Sequence, residues 1–255
     1  MNSLLKRLRQ TKRLLAVLGV FAIAGADFLF RVPRNPSRKD RAVWLQRSAR
    51  RLLRALRFEV RQIGEAPPGG FIAPNHMSYM DIIVLSSVAP QVFLSKIEVD
   101  DWPVVGRFTR MAGTLYIDRK RRSDVARKEA GFSEVIEEGI GMTFFLEGTS
   151  SDGRDVLPFR ASLLQPLIAN TWPITPTYLK YVCEGGDVSQ DVCWWGDMAF
   201  APHLFRLLAV RKTLATIVFG NQRQACGDRK ELAIELRTEV QRLAERAESQ
   251  TAFEI

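Results

Sequence analysis

The sequence contains two histidines, His76 and His203, the side chains best suited to act as a general base near neutral pH. His76 follows a short apolar run that predicts a strand, and it precedes another apolar run that predicts a helix. Asp81 lies five residues after His76, within reach of an imidazole at such a junction. A carboxylate that orients an imidazole is the pair used in acyl transfer. The fragment is therefore compatible with a His76 base that Asp81 orients.

A purely structural interpretation fits the same fragment. Ser78, followed by Asp81 and an apolar run, has the pattern of a capping box, which closes the first turn of a helix without any catalytic meaning. The local residues alone do not choose between capping and catalysis. The other histidine, His203, lies between Pro202 and Leu204, and we expect it to be a packing residue.

A second group of residues has the chemistry to hold an anionic substrate. Arg119 and Arg160 carry fixed positive charge, and the small residues Gly148 and Thr149 let backbone amides approach a phosphate. Each has a simpler explanation. Arg119 begins a basic run that fits a solvated turn, and Glu147 fits a buried structural carboxylate that pairs with Arg119 or Arg160.

Four short blocks, in this order, resemble the glycerolipid acyltransferases, specifically the bacterial 1-acylglycerol-3-phosphate acyltransferases. The first block contains the His-x4-Asp signature, the second ends at Arg119, and the third contains Glu147, Gly148 and Thr149. The blocks are residues 75–81, 113–119, 144–151 and 174–177. Together they span roughly residues 70–180.

The resemblance implies transfer of a fatty acyl group from acyl-ACP or acyl-CoA to the sn-2 hydroxyl of 1-acylglycerol-3-phosphate (lysophosphatidic acid), which gives phosphatidic acid. It implies His76 as the general base, Asp81 as its orienting partner and Arg119 as a phosphate ligand. It requires no metal or cofactor. The expected substrate-binding residues are Asn75, Ser78, Arg119, Glu147, Gly148, Thr149 and Arg160.

The third block departs from the family pattern at two positions. The family often has proline before the glutamate and arginine after the threonine, whereas this chain has Leu146 and Ser150 there. One expected phosphate contact is therefore missing. Arg119 or Arg160 is an alternative source of that charge. Otherwise the acceptor is another lyso-lipid, such as a lyso-ornithine lipid or a lysophospholipid with a larger headgroup.

Alternating apolar runs and helical patterns after residue 66 predict an α/β fold with a mixed, largely parallel sheet flanked by helices, as in the glycerolipid acyltransferases. We expect an N-terminal arm over residues 1–65 and an acyltransferase domain over residues 66–255. The expected strands are 71–73, 92–95, 114–118, 143–146, 174–179 and 214–219. The expected helices are 80–88, 104–111, 124–138, 161–170 and 229–248.

Positive charge is concentrated in the arm. Residues 1–65 hold 16 Lys and Arg against 4 Asp and Glu, a net charge of +12, whereas the remainder holds 21 against 24, a net charge of −3. A basic arm on a nearly neutral body favours an anionic membrane surface over nucleic acid. Residues 38–60 have a helical apolar stripe between arginines, which predicts a cationic amphipathic helix with Trp44 at the interface. The alternative is a helix that packs on the body.

The arm also contains 13 uncharged residues, 14–26, followed by Asp27. A cleaved signal peptide, a spanning helix and a monotopic anchor each fit this run. Its shortness and its basic flanks favour the anchor. Together with the resemblance to bacterial acyltransferases, this run implies a location at the cytoplasmic face of a bacterial inner membrane, as a monotopic protein or with a short N-terminal membrane helix.

Three cysteines, spaced 10 and 33 residues apart, match neither a disulfide framework nor a paired-cysteine zinc site. The resemblance leaves two rival classes. A lipid hydrolase or thioesterase would use His76 and Asp81 to activate water. A nucleic-acid-binding protein would use the arm, but nothing in the body resembles a base-reading motif.

Overall fold

The body of the protein is built on one sheet. The structure is a computed structural model that describes residues 3–102, 105–117 and 129–252. Within these residues the sheet has eight strands in the order β1-β7-β6-β2-β5-β3-β4, with β8 beside β6. They are β1 (Phe58–Ile63), β2 (Gly70–Pro74), β3 (Gln91–Lys96), β4 (Leu115–Ile117), β5 (Gly141–Thr143), β6 (Pro173–Glu184), β7 (Lys212–Phe219) and β8 (Arg223–Gln224).

The strand pairings confirm the mixed, largely parallel sheet. β1 with β7, β6 with β2, β2 with β5, β5 with β3 and β3 with β4 are all parallel, and only β6 with β7 and β6 with β8 are antiparallel among the described strands. Every residue of β2 is buried, as expected for a central parallel strand that is covered on both faces.

Helices cover both faces of the sheet. They are α1 (Ser3–Arg31), α2 (Arg38–Leu56), α3 (Met80–Val88), α4 (Val105–Met111), α5 (Glu129–Glu137), α6 (Gln165–Ala169), α7 (Phe200–Ala209) and α8 (Arg229–Ala252). Alternate residues of β2 enter two separate cores. Ile72 packs with residues of α2, α3 and α7, whereas Phe71 packs with residues of α5, α6 and α8.

Several element bounds differ from the sequence prediction. The strand expected at 143–146 is β5 and ends at Thr143, which leaves Phe144 to Leu146 in the loop that follows. The helix expected at 161–170 is a 3₁₀ turn, Ala161–Leu163, followed by α6. Helix α7 was not predicted. The helix expected at 124–138 begins outside the described residues, which resume at 129 and form α5.

The predicted helix over 38–60 is too long. Ser37 and Asp40 form a capping box at the start of α2, and the helix ends at Leu56 because Arg57 adopts a left-handed conformation with φ of 62°. Phe58–Ile63 then forms β1 and pairs with β7. The sheet therefore begins within the segment that we expected to be the arm.

The prediction of an interfacial Trp44 is wrong. The side chain is 1% exposed, and its indole N–H donates to the carbonyl oxygen of Ala24 at 2.9 Å. Phe28 meets the indole edge-on and Phe108 stacks on it. An amphipathic pattern shows that one face of a helix is buried, and here that face is buried in protein.

Asp27 is also directed into the protein. Its buried carboxylate accepts hydrogen bonds from Arg47 Nε at 3.1 Å and from Arg51 Nη1 at 3.2 Å, with Arg31 Nε at 3.6 Å. A buried carboxylate is stable only when it is paired in this way. The three arginines thus allow an acidic residue within the apolar helix α1 and join α1 to α2.

The first half of α1 contacts the end of α7. Arg9 donates to the carbonyl oxygen of Ala209 at 2.7 Å, and Gln10 donates to that of Phe205 at 2.8 Å. The buried Arg13 guanidinium donates to the carbonyl oxygens of Leu208, Val210 and Arg211. The last carbonyls of a helix lack partners within it, and the arm supplies partners for α7.

Helix α1 is long and apolar enough, from Leu4 to Arg31, to cross a membrane by length and composition. One face of it is buried at Arg13, Val17, Ala24 and Asp27, against α2 and the end of α7. Large apolar side chains on the rest of its surface are exposed, including those of Leu15, Leu18, Leu29 and Phe30.

Candidate active site

The candidate site lies where β2 ends. Pro74 is the last residue of β2, and Asn75 to Tyr79 form the loop that leads into α3. Strand β5 lies parallel beside β2, so the loop after β5 emerges at the same edge of the sheet. Ligand sites of α/β proteins commonly occupy this edge, at the carboxyl ends of parallel strands.

His76 and Asp81 are in direct contact, as the sequence led us to expect. The distance from His76 Nδ1 to Asp81 Oδ2 is 2.8 Å, and the Asp81 side chain is completely buried. A carboxylate that accepts a hydrogen bond from Nδ1–H favours the tautomer of a neutral imidazole in which Nε2 carries no proton. The His76 side chain is 20% exposed, so solvent or substrate has access to part of the ring.

The loop itself fixes the Asp81 carboxylate. Oδ2 accepts hydrogen bonds from the backbone amides of Met77 at 2.7 Å and Ser78 at 2.9 Å as well as from His76. These hydrogen bonds hold the loop of residues 75–79 against the first turn of α3. Asp81 thus combines the two roles that its sequence context suggested, since it stabilises the helix start and contacts the imidazole.

Ser78 does not cap α3 with its side chain. The cap residue is Tyr79, and the completely buried Ser78 hydroxyl donates to the carbonyl oxygen of Val192 at 2.7 Å. Asn75 is buried as well. Its side chain makes a pair of hydrogen bonds with the backbone of Leu179 in β6, at 3.1 and 2.7 Å. Both side chains are therefore engaged in holding the loop.

The His76 ring packs flat on Phe145. The ring centroids are 3.8 Å apart and the planes are inclined by 17°. Phe145 belongs to the third sequence block, and it is free to pack in this way because β5 ends before it. Aromatic packing on one side and Asp81 at Nδ1 together restrict the orientation of the imidazole.

Residues 147–153 form the loop that faces the His76 loop. The Ser150 hydroxyl donates to the carbonyl oxygen of Trp194 at 2.5 Å. Gly148 and Gly153 have φ of 74° and 83°, the left-handed region that favours glycine. A Cβ on Gly153 would lie 3.0 Å from Met77 Sδ. The absence of a side chain there lets the two loops approach closely.

Glu147 is buried in this loop. Its Oε1 accepts from the amide of Leu157 at 3.3 Å, and within the described residues Oε2 has no hydrogen-bond partner. Burial raises the pKa of Glu147 to about 8, and the nearby backbone amides of His76 and Leu157 oppose that rise only in part. Among the described residues Glu147 forms no ion pair with Arg160, and Arg119, the other partner expected for a structural carboxylate, lies outside them.

The remaining predicted residues lie at the surface or outside the described structure. Thr149 and Arg160 are exposed, and the amide of Arg160 donates to the carbonyl oxygen of Leu146 at 2.8 Å. Arg119 lies outside the described residues, so the structure does not place it.

His203 is a packing residue, as expected. It is completely buried, and its Nδ1 lies 3.0 Å from the hydroxyl of Tyr79. Burial lowers the pKa of His203 to about 4, which keeps the ring neutral. Tyr79 also contacts Trp194 and Phe200, and Trp102 contacts the same two residues. An aromatic cluster therefore adjoins the His76 loop.

Sequence reasoning missed Tyr181. Its buried hydroxyl donates to Asp81 Oδ1 at 2.6 Å from β6, a hundred residues further along the chain. Its position in a buried strand indicates only a core residue, and no local pattern marks the contact.

Comparison with known proteins gives consistent matches. A family model described as "Acyltransferase" matches residues 57–180. The lyso-ornithine lipid O-acyltransferase of Rhodobacter capsulatus is 36% identical over 155 residues, or 59% of this chain and 56% of that protein. The 1-acyl-sn-glycerol-3-phosphate acyltransferase of Neisseria gonorrhoeae is 32% identical over 155 residues, or 61% of this chain and 60% of that protein. The chain thus spans less than two thirds of either protein.

A longer match covers most of both chains. The lyso-ornithine lipid O-acyltransferase of Brucella abortus is 31% identical over 206 residues, or 74% of this chain and 77% of that protein. The fold is similar to the crystal structure of the 1-acyl-sn-glycerophosphate acyltransferase PlsC from Thermotoga maritima, with a TM-score of 0.66 and 19% identity. That match covers 94% of this chain and 98% of the other.

Proposed function

Because the chain belongs to the acyltransferase family, we propose that it transfers a fatty acyl group from an acyl thioester to the free hydroxyl of a single-chain lipid. The observation that carries this proposal is the 2.8 Å contact between His76 Nδ1 and the buried Asp81 carboxylate at the end of β2. The proposed catalytic residues are therefore His76 and Asp81.

In the proposed reaction His76 Nε2 accepts the proton of the lipid hydroxyl while its oxygen attacks the thioester carbonyl carbon. The attack gives a tetrahedral intermediate, which collapses to the new ester as the carbon–sulfur bond breaks, and the imidazolium gives its proton to the leaving thiolate. Asp81 stabilises the imidazolium and fixes the ring plane. No covalent enzyme intermediate is needed.

The oxyanion of the tetrahedral intermediate requires hydrogen-bond donors. The Gly148 amide already donates to the carbonyl oxygen of Phe145 at 3.1 Å, so we assign the oxyanion to other amides of the loop that faces His76, next to the left-handed Gly148. We assign Glu147, Gly148 and Thr149 of this loop, together with Arg160 seven residues beyond it, to acceptor binding. Asn75 and Ser78 act by holding the His76 loop. Arg119 retains its proposed role as a phosphate ligand.

The proposed acceptor is 1-acylglycerol-3-phosphate, and acyl-ACP or acyl-CoA is the donor. A similar protein from Neisseria gonorrhoeae is named for this acceptor. Ser150 supports lyso-ornithine lipid as a second acceptor, because it replaces the family arginine and its hydroxyl donates to the carbonyl oxygen of Trp194. The similar proteins from Rhodobacter capsulatus and Brucella abortus are named for that lipid.

We further propose that residues 1–65 anchor the protein to the cytoplasmic face of a bacterial inner membrane. One face of α1 is buried along the body while its other face exposes Leu15, Leu18, Leu29 and Phe30. A helix held along the body in this way fits a monotopic anchor, with basic residues at the anionic headgroups.

The reaction is tested by mass spectrometry of products from membranes that carry wild-type or His76→Ala protein. The membranes receive a labelled acyl thioester and either lysophosphatidate or lyso-ornithine lipid. We expect labelled two-chain lipid from the wild type and a loss of about 10²- to 10⁴-fold in His76→Ala. His203→Asn is the matched histidine control and should retain turnover. Equal turnover in wild type and His76→Ala contradicts the mechanism, and free fatty acid alone indicates a hydrolase.

The anchor is tested by vesicle sedimentation of the full chain. Deleting residues 1–65 removes β1 as well, so point substitutions are a cleaner test. Leu15→Ser with Leu18→Ser and Phe30→Ser should reduce binding to anionic vesicles. Ile234→Ser, an exposed position on α8, should not. Unchanged binding of the triple variant contradicts the assignment.

A further inference from the structure

Tyr181 reaches the candidate dyad from the centre of the sheet. It lies in β6 opposite Ala215 of β7, and its side chain is buried in the same core as Leu179 and Met80. The phenolic hydroxyl donates a hydrogen bond to Asp81 Oδ1 at 2.6 Å. The contact joins two elements that are far apart in sequence.

The two oxygens of Asp81 are bonded differently. Oδ2 accepts from His76 and from the amides of Met77 and Ser78. Within the described structure, Tyr181 is the one donor shown for Oδ1. A completely buried carboxylate oxygen that loses its donor is strongly destabilised. The plane of the Asp81 carboxylate, and with it the position of Oδ2, therefore depends on Tyr181.

The phenol is itself held in place. Phe58 of β1 meets the Tyr181 ring edge-on, with centroids 6.2 Å apart. Burial, reinforced by the Asp81 charge, raises the pKa of Tyr181 well above its usual value. The hydroxyl therefore keeps its proton and acts as a hydrogen-bond donor at every pH at which the protein would be assayed.

We propose that Tyr181 is a positioning residue of the active site, which fixes and partly neutralises the Asp81 carboxylate so that Oδ2 orients His76. Tyr181 touches no substrate in this scheme and acts through Asp81. Partners behind a catalytic ligand commonly set its orientation and basicity in this way. The role of Tyr181 in catalysis rests on the proposed acyl transfer. Its effect on the orientation and pKa of His76 does not depend on which reaction the protein catalyses.

The kinetic test is Tyr181→Phe, which removes the hydroxyl and keeps the ring. We expect kcat to fall about ten-fold or more, because Asp81 Oδ1 loses its donor and the carboxylate no longer holds the His76 ring in the productive orientation, while KM for the acceptor stays within about two-fold. The acid limb of the pH–rate profile should move to higher pH. Without the phenol, the negative charge of Asp81 is less offset by hydrogen bonding, so the carboxylate stabilises the His76 imidazolium more strongly.

Tyr178→Phe is the matched control. It makes the same chemical change three residues earlier in β6, where Tyr178 packs with Ile63, Val218 and Leu243. It should leave both kcat and the pH profile unchanged. In an Asp81→Asn background, Tyr181→Phe should have little further effect on kcat, since Tyr181 acts through the carboxylate.

A second measurement separates this proposal from the proposed reaction. The chain has two histidines, so the ring resonances of His76 can be followed by NMR in detergent micelles and assigned with His76→Gln. The His76 titration midpoint should be higher in Tyr181→Phe than in the wild type. An unchanged midpoint together with an unchanged acid limb overturns the proposal. A shifted midpoint in a protein without acyltransferase activity overturns the reaction alone.

Incorporation of 3-fluorotyrosine at all four tyrosines covers the case in which Tyr181→Phe fails to fold. Fluorination retains the hydroxyl and strengthens it as a donor. The acid limb and the His76 midpoint should then move to lower pH, and movement to higher pH or none at all contradicts the proposal.

Discussion

The amide and the hydroxyl of Ser151 both donate hydrogen bonds to the carbonyl oxygen of His76, at 2.9 and 3.2 Å. Ser151 is the last residue of the block that contains Glu147 and Gly148, so these bonds join the loop proposed to bind the acceptor to the residue proposed as base. The same hydroxyl accepts from the amide of Gly153 at 3.3 Å. A change in one loop is therefore transmitted directly to the other.

Ser151→Ala should lower kcat by about five-fold. The substitution removes the hydroxyl bond but keeps the amide bond, and a neutral hydrogen bond contributes about 1 kcal/mol. Steady-state kinetics with the preferred acceptor check this, with Ser189→Ala as the control. A changed KM with an unchanged kcat would show that the loop affects binding rather than the base.

Ser150→Arg should lower KM for 1-acylglycerol-3-phosphate. Ser150 stands where the family has an arginine, and a guanidinium there would add a charge-assisted bond to the acceptor phosphate. The KM for lyso-ornithine lipid should not fall in parallel. Ser150→Ala is the control, because it removes the bond to Trp194 without adding charge. Equal gains for both acceptors would argue against a phosphate contact at this position.

Glu147→Gln should flatten the pH dependence of stability. The pKa of Glu147 is raised to about 8 in the folded protein, whereas a glutamate in the unfolded chain has a pKa of about 4.3. Between these values the folded state holds the proton more tightly, so the free energy of unfolding falls as pH rises through this window.

Thermal denaturation from about pH 5 to pH 8 checks the Glu147 prediction. Ionisation of Glu147 lowers the Tm of the wild type as pH rises, so the Tm difference between wild type and Glu147→Gln should change across this range in the direction that favours Glu147→Gln at high pH, because the amide does not ionise. The exposed Glu245 provides the control, and Glu245→Gln should retain the wild-type slope. An identical slope in Glu147→Gln would mean that Glu147 is ionised throughout.

Arg13→Ala should lower Tm by several degrees. Arg13 is buried, and its guanidinium is bonded to the carbonyl oxygens of Leu208, Val210 and Arg211. Arg13→Lys should not restore stability, since an ammonium lacks the planar fork that reaches several acceptors. Differential scanning fluorimetry with the exposed Arg7→Ala as control checks this. A wild-type Tm in Arg13→Ala would mean that the contact contributes little.

The strands and the first sequence block were predictable because they depend on local patterns. Buried runs such as β2 are apolar throughout, and His76 with Asp81 lies within one junction of strand and helix. The end of α2 was less accessible. No glycine marks Arg57 as left-handed, and pairing with β7, far along the chain, makes Phe58–Ile63 a strand.

The features that sequence could not provide involve contacts between distant segments. The apolar stripe of α2 specifies a buried face, but lipid and protein cover such a face equally well. The sequence therefore suggested that Trp44 lies at the membrane interface, whereas it is buried in protein. Tyr181 has the sequence environment of an ordinary core residue. Its importance depends on which atom its hydroxyl meets, and β6 must first pair with β2 before that contact exists.

The bonds from Arg9 and Arg13 hold α1 against the end of α7 at several points. If α1 rests in a leaflet, His76 stands at a constant height and tilt above the lipid. The enzyme then cannot bend to meet acceptors of different length. Each lyso-lipid must instead raise its own hydroxyl to that height, so headgroup depth in the bilayer becomes a selection criterion in addition to headgroup chemistry.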